Sequence, residues 1–286
     1  RDVLGSRGLG DVYKRQGMNM PESVKIVKQY YDNSVQEEWE RIENRPEFII
    51  TSRFIDRYVR PDDKILDIGG GPGRYSIYLA QKGCNVTLFD LSEKNIRFAE
   101  KMGEKLGLCF KTTVGDARYA DEIIEEQFDH ILLMGPMYHL LEERDRVRAV
   151  NAALKLLKPG GMIFISFINM AAGMIYAMKI EPDIVVDQME QDFYNAFYNG
   201  RSFAGEAFTQ AYFARQDEIL PFMEQFPLKK LHFFSQEGIL SPCEDNIMSR
   251  PKEIVDVWLD ICEKTCEREE LLSWGEHLMY IGQKKT

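Results

Sequence analysis

Three glycines, Gly69, Gly71 and Gly73, follow Asp67, which lies in a short apolar run typical of a buried parallel strand. Glycine has no Cβ and accepts left-handed backbone conformations, so such a turn lets the main chain press against a ligand. Residues 74–80 indicate a helix, and the free N–H groups at its N-terminus would favour negative charge. The strand, glycine turn and helix together predict a nucleotide-type binding site.

The spacing of these glycines argues against a dinucleotide. The fingerprint G-x-G-x-x-G requires a third glycine three positions after the second. Arg74 stands there when the count begins at Gly69, and Ser76 stands there when it begins at Gly71. A nicotinamide-dependent oxidoreductase is therefore kept only as an alternative function.

Acidic residues stand at the ends of the next two predicted strands. Asp90 ends the second strand, where a carboxylate can accept the hydroxyls of a ribose. The alternative role for Asp90 is to cap the helix that begins after Ser92. Asp116 follows the third strand in a Gly-Asp-Ala turn, so acids recur where a parallel sheet presents its carboxyl ends.

A histidine and a tyrosine, His139 and Tyr138, lie just beyond the fourth predicted strand, residues 128–134. Open α/β sheets bind ligands at the carboxyl ends of their strands. His139 is therefore placed to remove a proton from a substrate, with Tyr138 beside it. The alternative is that His139 caps or braces the helix that follows.

The order of these motifs resembles that of class I S-adenosylmethionine-dependent methyltransferases. The series Asp67-x-Gly-x-Gly-x-Gly, the acid after strand two, the Gly-Asp-Ala turn and Lys-Pro-Gly-Gly at 158–161 carry this resemblance. It covers residues 60–167 closely and the strand at 277–283 more loosely. The segments Gly-Gly-Gly-Pro-Gly-Arg-Tyr-Ser and Gly-Pro-Met-Tyr-His-Leu resemble those of a bacterial subgroup of small-molecule-type enzymes. The substrates of that subgroup are mostly unassigned.

The resemblance implies S-adenosylmethionine as the cofactor and direct in-line methyl transfer to a small metabolite as the function. It also implies that Asp90 holds the ribose and that Asp116 accepts the adenine amino group, with His139 and Tyr138 as catalytic residues. A non-catalytic module that binds S-adenosylmethionine is a further alternative. No acid follows the fourth strand, so no metal ligand is predicted. The predicted cofactor-binding residues are Asp67, Gly69, Gly71, Gly73, Asp90, Leu91, Asp116, Ala117 and Met134.

The elements that must position these residues form, by the same resemblance, a doubly wound α/β fold. We expect a Rossmann-like sheet of seven strands with helices on both faces, the last strand antiparallel, and an insertion after strand five. The expected division is an N-terminal helical lid at 18–60, a cofactor-binding core at 61–167, a substrate-covering insertion at 168–227 and C-terminal strands and a helix at 228–286.

The insertion at 168–227 is rich in methionine and aromatic residues. Soft and aromatic walls suit a largely apolar small molecule, so we predict that this segment covers the substrate. The alternatives are an added helical layer or a surface for a homodimer.

The amino-acid composition argues against some classes of partner molecule. The 286 residues carry a net charge of −10, which argues against a nucleic-acid substrate, and no run approaches the roughly 20 apolar residues of a membrane span. The five cysteines are scattered and odd in number, which fits a reducing cytoplasm.

The first residues, 1–17, show neither a helical nor a strand period. They resemble translated adaptor tails and lack the apolar centre of a signal peptide. We expect this segment to be a non-native or disordered leader, with the natural start at Met18 or Met20.

Overall fold

The computed structural model describes Tyr13 and residues 19–286. Within that part of the chain the strands are β1 Lys64–Ile68, β2 Asn85–Asp90, β3 Lys111–Val114, β4 Phe128–Leu133, β5 Leu157–Asn169, β6 Phe203–Glu206, β7 Gln210–Ala214, β8 Leu228–Ser235 and β9 His277–Lys284. They form one sheet in the order β3-β2-β1-β4-β5-β7-β6, and β9 pairs with both β5 and β8.

The α-helices of the same described residues surround this sheet. They are α1 Glu22–Asn33, α2 Val35–Arg41, α3 Pro46–Ile55, α4 Arg74–Gln81, α5 Glu93–Lys105, α6 Ala120–Ile123, α7 Glu143–Leu156, α8 Ala171–Ile180, α9 Gln191–Tyr198, α10 Gln216–Glu224, α11 Glu244–Met248, α12 Lys252–Thr265. One face of the sheet packs against α7 and α10, and the other packs against α3 and α12.

The centre of the sheet is parallel, because β1 pairs in parallel with both β2 and β4. Four of the five residues of β1 are buried, as expected for a strand covered on both faces. The final strand β9 runs antiparallel to β5. The expected doubly wound α/β fold with an antiparallel last strand is thus confirmed, and the carboxyl ends of β1, β2 and β4 meet at one edge.

The expected strand count of seven is wrong, because the described residues form nine strands. The two additional strands, β6 and β7, make an antiparallel hairpin inside the insertion after β5. Strand β6 has only four residues, too few for its alternation to stand out in the sequence. The Lys-Pro-Gly-Gly turn also differs from expectation, since it lies inside β5 and not before it.

The N-terminal helices lie against the carboxyl edge of the sheet. Helix α1 buries Val24 and Val27 and contacts both α5 and β7. Its last turn is tied to the core where the Ser92 hydroxyl donates to Asp32 Oδ1 at 2.6 Å. Side chains of α1, α2 and α3 are thereby brought to the edge where the predicted ligand site lies.

The predicted leader, 1–17, lies outside the described residues except for Tyr13. The ring of Tyr13 is buried, and its hydroxyl donates to Asp116 Oδ2 at 2.5 Å. The expectation of a non-native or disordered leader stays a prediction. No helix in the described part of the chain is long and apolar enough to cross a bilayer.

Candidate active site

The glycine turn after β1 has the predicted backbone geometry. Gly69, Gly71 and Gly73 have φ values of +71°, +57° and +86°, in the left-handed region where L side chains are strained. A Cβ on Gly69 would lie 2.5 Å from Pro136 Cδ, so the turn also passes close to the loop after β4. Gly69 and Gly71 line the cavity at the carboxyl edge, whereas Gly73 packs against Ala99 of α5 instead.

Asp67 of β1 lies beneath this turn and faces the cavity. Its side chain is buried and accepts a hydrogen bond from the Ser76 hydroxyl at 2.7 Å. Burial raises the pKa of Asp67 to about 7, although the Ser76 hydroxyl opposes the shift. The described residues supply no basic hydrogen-bond partner, so a bound cation would stabilise the ionised form.

Asp90, at the end of β2, is held by three protein donors. Oδ2 accepts from the Gly71 N–H at 2.8 Å, and Oδ1 accepts from the Ser92 N–H at 2.8 Å and from Asn95 Nδ2 at 3.1 Å. Burial raises its pKa. A carboxylate has about four lone-pair sites, so one site on Oδ2 is left for a ligand. The helix cap comes from Ser92 itself, whose hydroxyl accepts from the Asn95 N–H at 3.1 Å.

Asp116, after β3, also lines the cavity but is engaged on both oxygens. Oδ1 accepts from the main-chain N–H and Nε of Arg118 at 2.9 and 3.1 Å. Oδ2 accepts from Arg118 Nη2 at 2.8 Å and from the Tyr13 hydroxyl at 2.5 Å. An adenine amino group would therefore bind Asp116 in place of one of these donors, such as the Tyr13 hydroxyl.

One cavity brings the remaining predicted residues together. Leu91, Ala117 and Met134 line it beside the acids, and Tyr138 and His139 line it beyond the loop after β4. Of the residues predicted from sequence, Gly73 is the one that does not reach this cavity. Since these residues come from the ends of β1 to β4, the sheet edge places them in one site.

His139 is held through both ring nitrogens. Nδ1 lies 3.1 Å from the main-chain oxygen of Gln210, and Nε2 lies 2.6 Å from the hydroxyl of Tyr31. Because a carbonyl oxygen only accepts, Nδ1 carries the proton and Nε2 accepts from Tyr31. Burial lowers the pKa of His139 to about 4, so the ring is neutral at pH 7.

Sequence reasoning missed several polar side chains from the N-terminal helices, from β5 and from the segment after β8. Arg41 lines the cavity and donates through Nε to Glu38 at 3.2 Å and through Nη1 to Glu47 at 2.9 Å. Ser166 of β5 and Gln236 after β8 are hydrogen-bonded to each other and also line it. The charged residues of α2 were the available signal, but their helical spacing did not show which of them face the sheet.

A buried histidine, His277, lies next to Glu47 of this group. Its Nδ1 donates to Glu237 Oε1 at 2.5 Å and lies 3.9 Å from Glu47 Oε2. Burial opposes protonation, but the carboxylates of Glu47 and Glu237 raise the pKa of His277 to about 9. Their ligand atoms lie within 4.8 Å of one another. Because Arg41 occupies Glu47 and a proton occupies Nδ1, the arrangement is an ion-pair cluster.

The predicted substrate cover, 168–227, contributes no lining residue among those described for the cavity. It approaches the cavity through Gln210 and through Phe208, whose ring centroid lies 5.9 Å from that of His139. In this structure the segment therefore contacts His139 through these two residues and does not line the cavity. Its role toward a substrate stays a prediction.

Comparison with known proteins agrees with this geometry. Residues 65–161 match the family model described as a methyltransferase domain. A ubiquinone biosynthesis O-methyltransferase of Pseudomonas aeruginosa is 33% identical over 106 residues, which are 37% of this chain and 44% of that protein. One from Caulobacter vibrioides is 33% identical over 129 residues, 43% of this chain and 47% of that protein. The chain thus spans about half the length of these curated relatives.

Solved structures show the same fold at low sequence identity. The 1,6-didemethyltoxoflavin-N1-methyltransferase of Burkholderia thailandensis has a TM-score of 0.59 at 15% identity, covering 94% of each chain. The magnesium protoporphyrin IX methyltransferase of Synechocystis has a TM-score of 0.56 at 13% identity, covering 92% of this chain and all of that one. Residues 65–161, which include the glycine turn, are thus similar to a methyltransferase domain, and the whole chain shares the fold of these two solved methyltransferases.

Proposed function

We propose that this protein binds S-adenosylmethionine and transfers its methyl group directly to a small-molecule acceptor. The observation that carries the proposal is a single cavity lined both by the acids and glycines at the ends of β1 to β3 and by Tyr138 and His139 beyond β4. One end is suited to a nucleoside and the other to an acceptor.

The residues present fit a cationic donor. Asp67 and Asp90 are buried carboxyls whose described hydrogen-bond partners are all uncharged, and burial raises the pKa of each. A sulfonium or an ammonium group nearby would offset that cost by stabilising the carboxylates. When bound, S-adenosylmethionine supplies a methyl group already activated by its positive sulfur.

The protein's own contribution is then alignment and exclusion of water. Holding the acceptor in line with the methyl group can supply roughly 7–11 kcal/mol of the barrier. Helices α1 to α3 cover the carboxyl edge, and residues from them line the cavity, so they are placed to exclude water during transfer. Asp90 would hold the ribose through its remaining lone pair, and Gly69 and Gly71 would admit the backbone close to the donor.

The cellular compartment and the class of acceptor are also part of the proposal. All five cysteines are free, which supports a reducing cytoplasm. The net charge of −10 favours a small molecule over a nucleic acid as the acceptor.

Purified protein incubated with methyl-labelled S-adenosylmethionine and the small-molecule fraction of a bacterial extract tests the proposal. We expect label in a compound of low molecular weight, and none when the protein is omitted. Binding of S-adenosylmethionine without any transfer would instead assign the chain to the non-catalytic alternative.

A further inference from the structure

A hydrogen-bonded chain connects three separate segments at the acceptor end of the cavity. Tyr31 of α1 donates its hydroxyl proton to His139 Nε2 at 2.6 Å, and His139 Nδ1 donates to the Gln210 carbonyl of β7 at 3.1 Å. Both Tyr31 and His139 line the cavity. The chain therefore begins at a cavity-facing hydroxyl and ends on a main-chain carbonyl.

The occupied ring nitrogens limit what His139 can do. A neutral imidazole has one N–H and one lone pair, and here Gln210 takes the first while Tyr31 uses the second. No acceptor molecule can hand a proton to His139 while these bonds persist. The oxygen of Tyr31, in contrast, keeps its own lone pairs and faces the cavity.

Resting on the proposed function, we propose that Tyr31 takes the proton from the methyl acceptor while passing its own proton to His139. Tyr31 is then the residue that contacts the acceptor. His139 acts through Tyr31, and Gln210 fixes the tautomer that makes this possible.

The step balances in atoms and charge. A lone pair of the acceptor atom forms the new bond to the methyl carbon, and the C–S bond of the donor breaks with its electron pair left on sulfur. The acceptor proton moves to Tyr31 Oη as the Tyr31 proton moves to His139 Nε2. One positive charge disappears at sulfur and one appears on the imidazole, so the net charge of the buried site does not change. After the product leaves, the proton returns through Tyr31 to water.

Other proton acceptors at this end are less suitable. Glu47 lines the cavity, but Arg41 and His277 overcome the effect of its burial and hold its pKa below the usual value. The charged groups that act on Tyr31 are Glu38 and Arg41, which pair with each other at 3.2 Å. The described hydrogen-bond partners of His139 include no carboxylate.

The test uses S-adenosylmethionine carrying ¹³C in its methyl group and the small-molecule fraction of a bacterial extract as the probe. Wild type is compared with Tyr31→Phe and with Tyr30→Phe, which removes the same hydroxyl from the neighbouring residue outside the cavity lining. The carbon chemical shift of the product distinguishes methyl on oxygen from methyl on nitrogen, sulfur or carbon. Calorimetry with S-adenosylhomocysteine reports cofactor binding by each variant.

We expect a methylated small molecule with wild type, a turnover about 10²–10⁴-fold lower in Tyr31→Phe, and unchanged affinity for S-adenosylhomocysteine. Tyr30→Phe should match wild type. Equal turnover in Tyr31→Phe overturns the relay and leaves the proposed function intact. Absence of labelled product with wild type overturns the proposed function, and the relay with it.

Discussion

Two histidines flank Tyr138, His139 half-buried and His277 buried, and their pKa values are shifted in opposite directions. The ring centroids of His139 and His277 lie 4.8 and 6.1 Å from that of Tyr138. His139 faces a hydroxyl and a carbonyl, and its pKa is lowered to about 4. His277 faces Glu237 and Glu47, and its pKa is raised to about 9.

The difference shows that burial alone does not decide the charge of a histidine. Burial disfavours the imidazolium in both, but only His277 has carboxylates close enough to outweigh it. His139 is consequently neutral and accepts a hydrogen bond from Tyr31, while His277 already holds its proton in an ion pair. In our proposal His139 serves proton transfer, and His277 links β9 to the segment after β8.

The largest expected effect comes from removing the neutral histidine. His139→Asn should lower turnover about 10²–10⁴-fold, because the proton of Tyr31 loses its destination, with little change in affinity for S-adenosylhomocysteine. The labelled-methyl assay measures this. His232→Asn is the matched control, since His232 Nε2 lies 2.6 Å from the Tyr58 hydroxyl in an equivalent pair outside the cavity. Equal losses in both variants would show that His139 is only structural.

Removing the charged histidine should instead reduce stability. His277→Ala leaves the buried Glu237 without its cationic partner, which costs about 3–5 kcal/mol in the free energy of unfolding. Denaturant unfolding measures the loss. His277→Gln should recover part of it, because an amide N–H can still donate to Glu237. A His277→Ala protein as stable as wild type would remove the ion pair from this account.

The free energy of unfolding should depend on pH in opposite ways through His139 and through His277. In the folded protein the pKa of His277 lies above the ordinary value of 6.5. Its contribution to the free energy of unfolding is therefore fully present below about pH 6.5 and is lost as the pH rises through 9. In the folded protein the pKa of His139 lies below 6.5. Its contribution to the free energy of unfolding is therefore fully present above pH 6.5 and is lost as the pH falls toward 4. Each is on the order of 3 kcal/mol at 1.36 kcal/mol per pKa unit.

Unfolding of wild type and of each single variant from pH 4 to 10 checks these signs. The His277→Ala variant should lose the alkaline slope and keep the acid one. The same slopes in all proteins would contradict the assignment of opposite charges.

A smaller effect is expected at the donor end, where Asp67 resembles His139 in lacking a charged partner. Its pKa of about 7 means that S-adenosylmethionine must displace a proton from part of the population near neutrality. Affinity should fall as the pH drops below 7, by up to about tenfold per pH unit. Calorimetry at several pH values measures this, and Asp67→Asn should remove the dependence. A dependence that persists in Asp67→Asn would place the titrating group elsewhere.

The donor end could be predicted from sequence because its residues follow successive strands. Asp67 is the last residue but one of β1, Asp90 ends β2 and Asp116 follows β3, and a parallel sheet collects such positions at one edge. The predicted fold succeeded for the same reason, since β1, β2 and β4 are short, largely apolar runs and each has a helix after it.

At the acceptor end His139 and Tyr138 were predicted, but the partners of His139 were not, because they come from distant segments. Tyr31 and Gln210 meet at His139 through the packing of α1 and β7, and no local pattern encodes either contact. The pKa of a histidine depends on such partners, so the opposite shifts of His139 and His277 could not be read from the sequence. Hairpin β6–β7, which supplies Gln210, was itself missed.

Calorimetric titration with S-adenosylhomocysteine and with NAD tests the central claim most directly, because it asks which nucleoside the cavity accepts. The account predicts binding of S-adenosylhomocysteine with a Kd on the order of 1 μM, about −8 kcal/mol, and no heat with NAD. Binding of NAD with no response to S-adenosylhomocysteine or S-adenosylmethionine would contradict it.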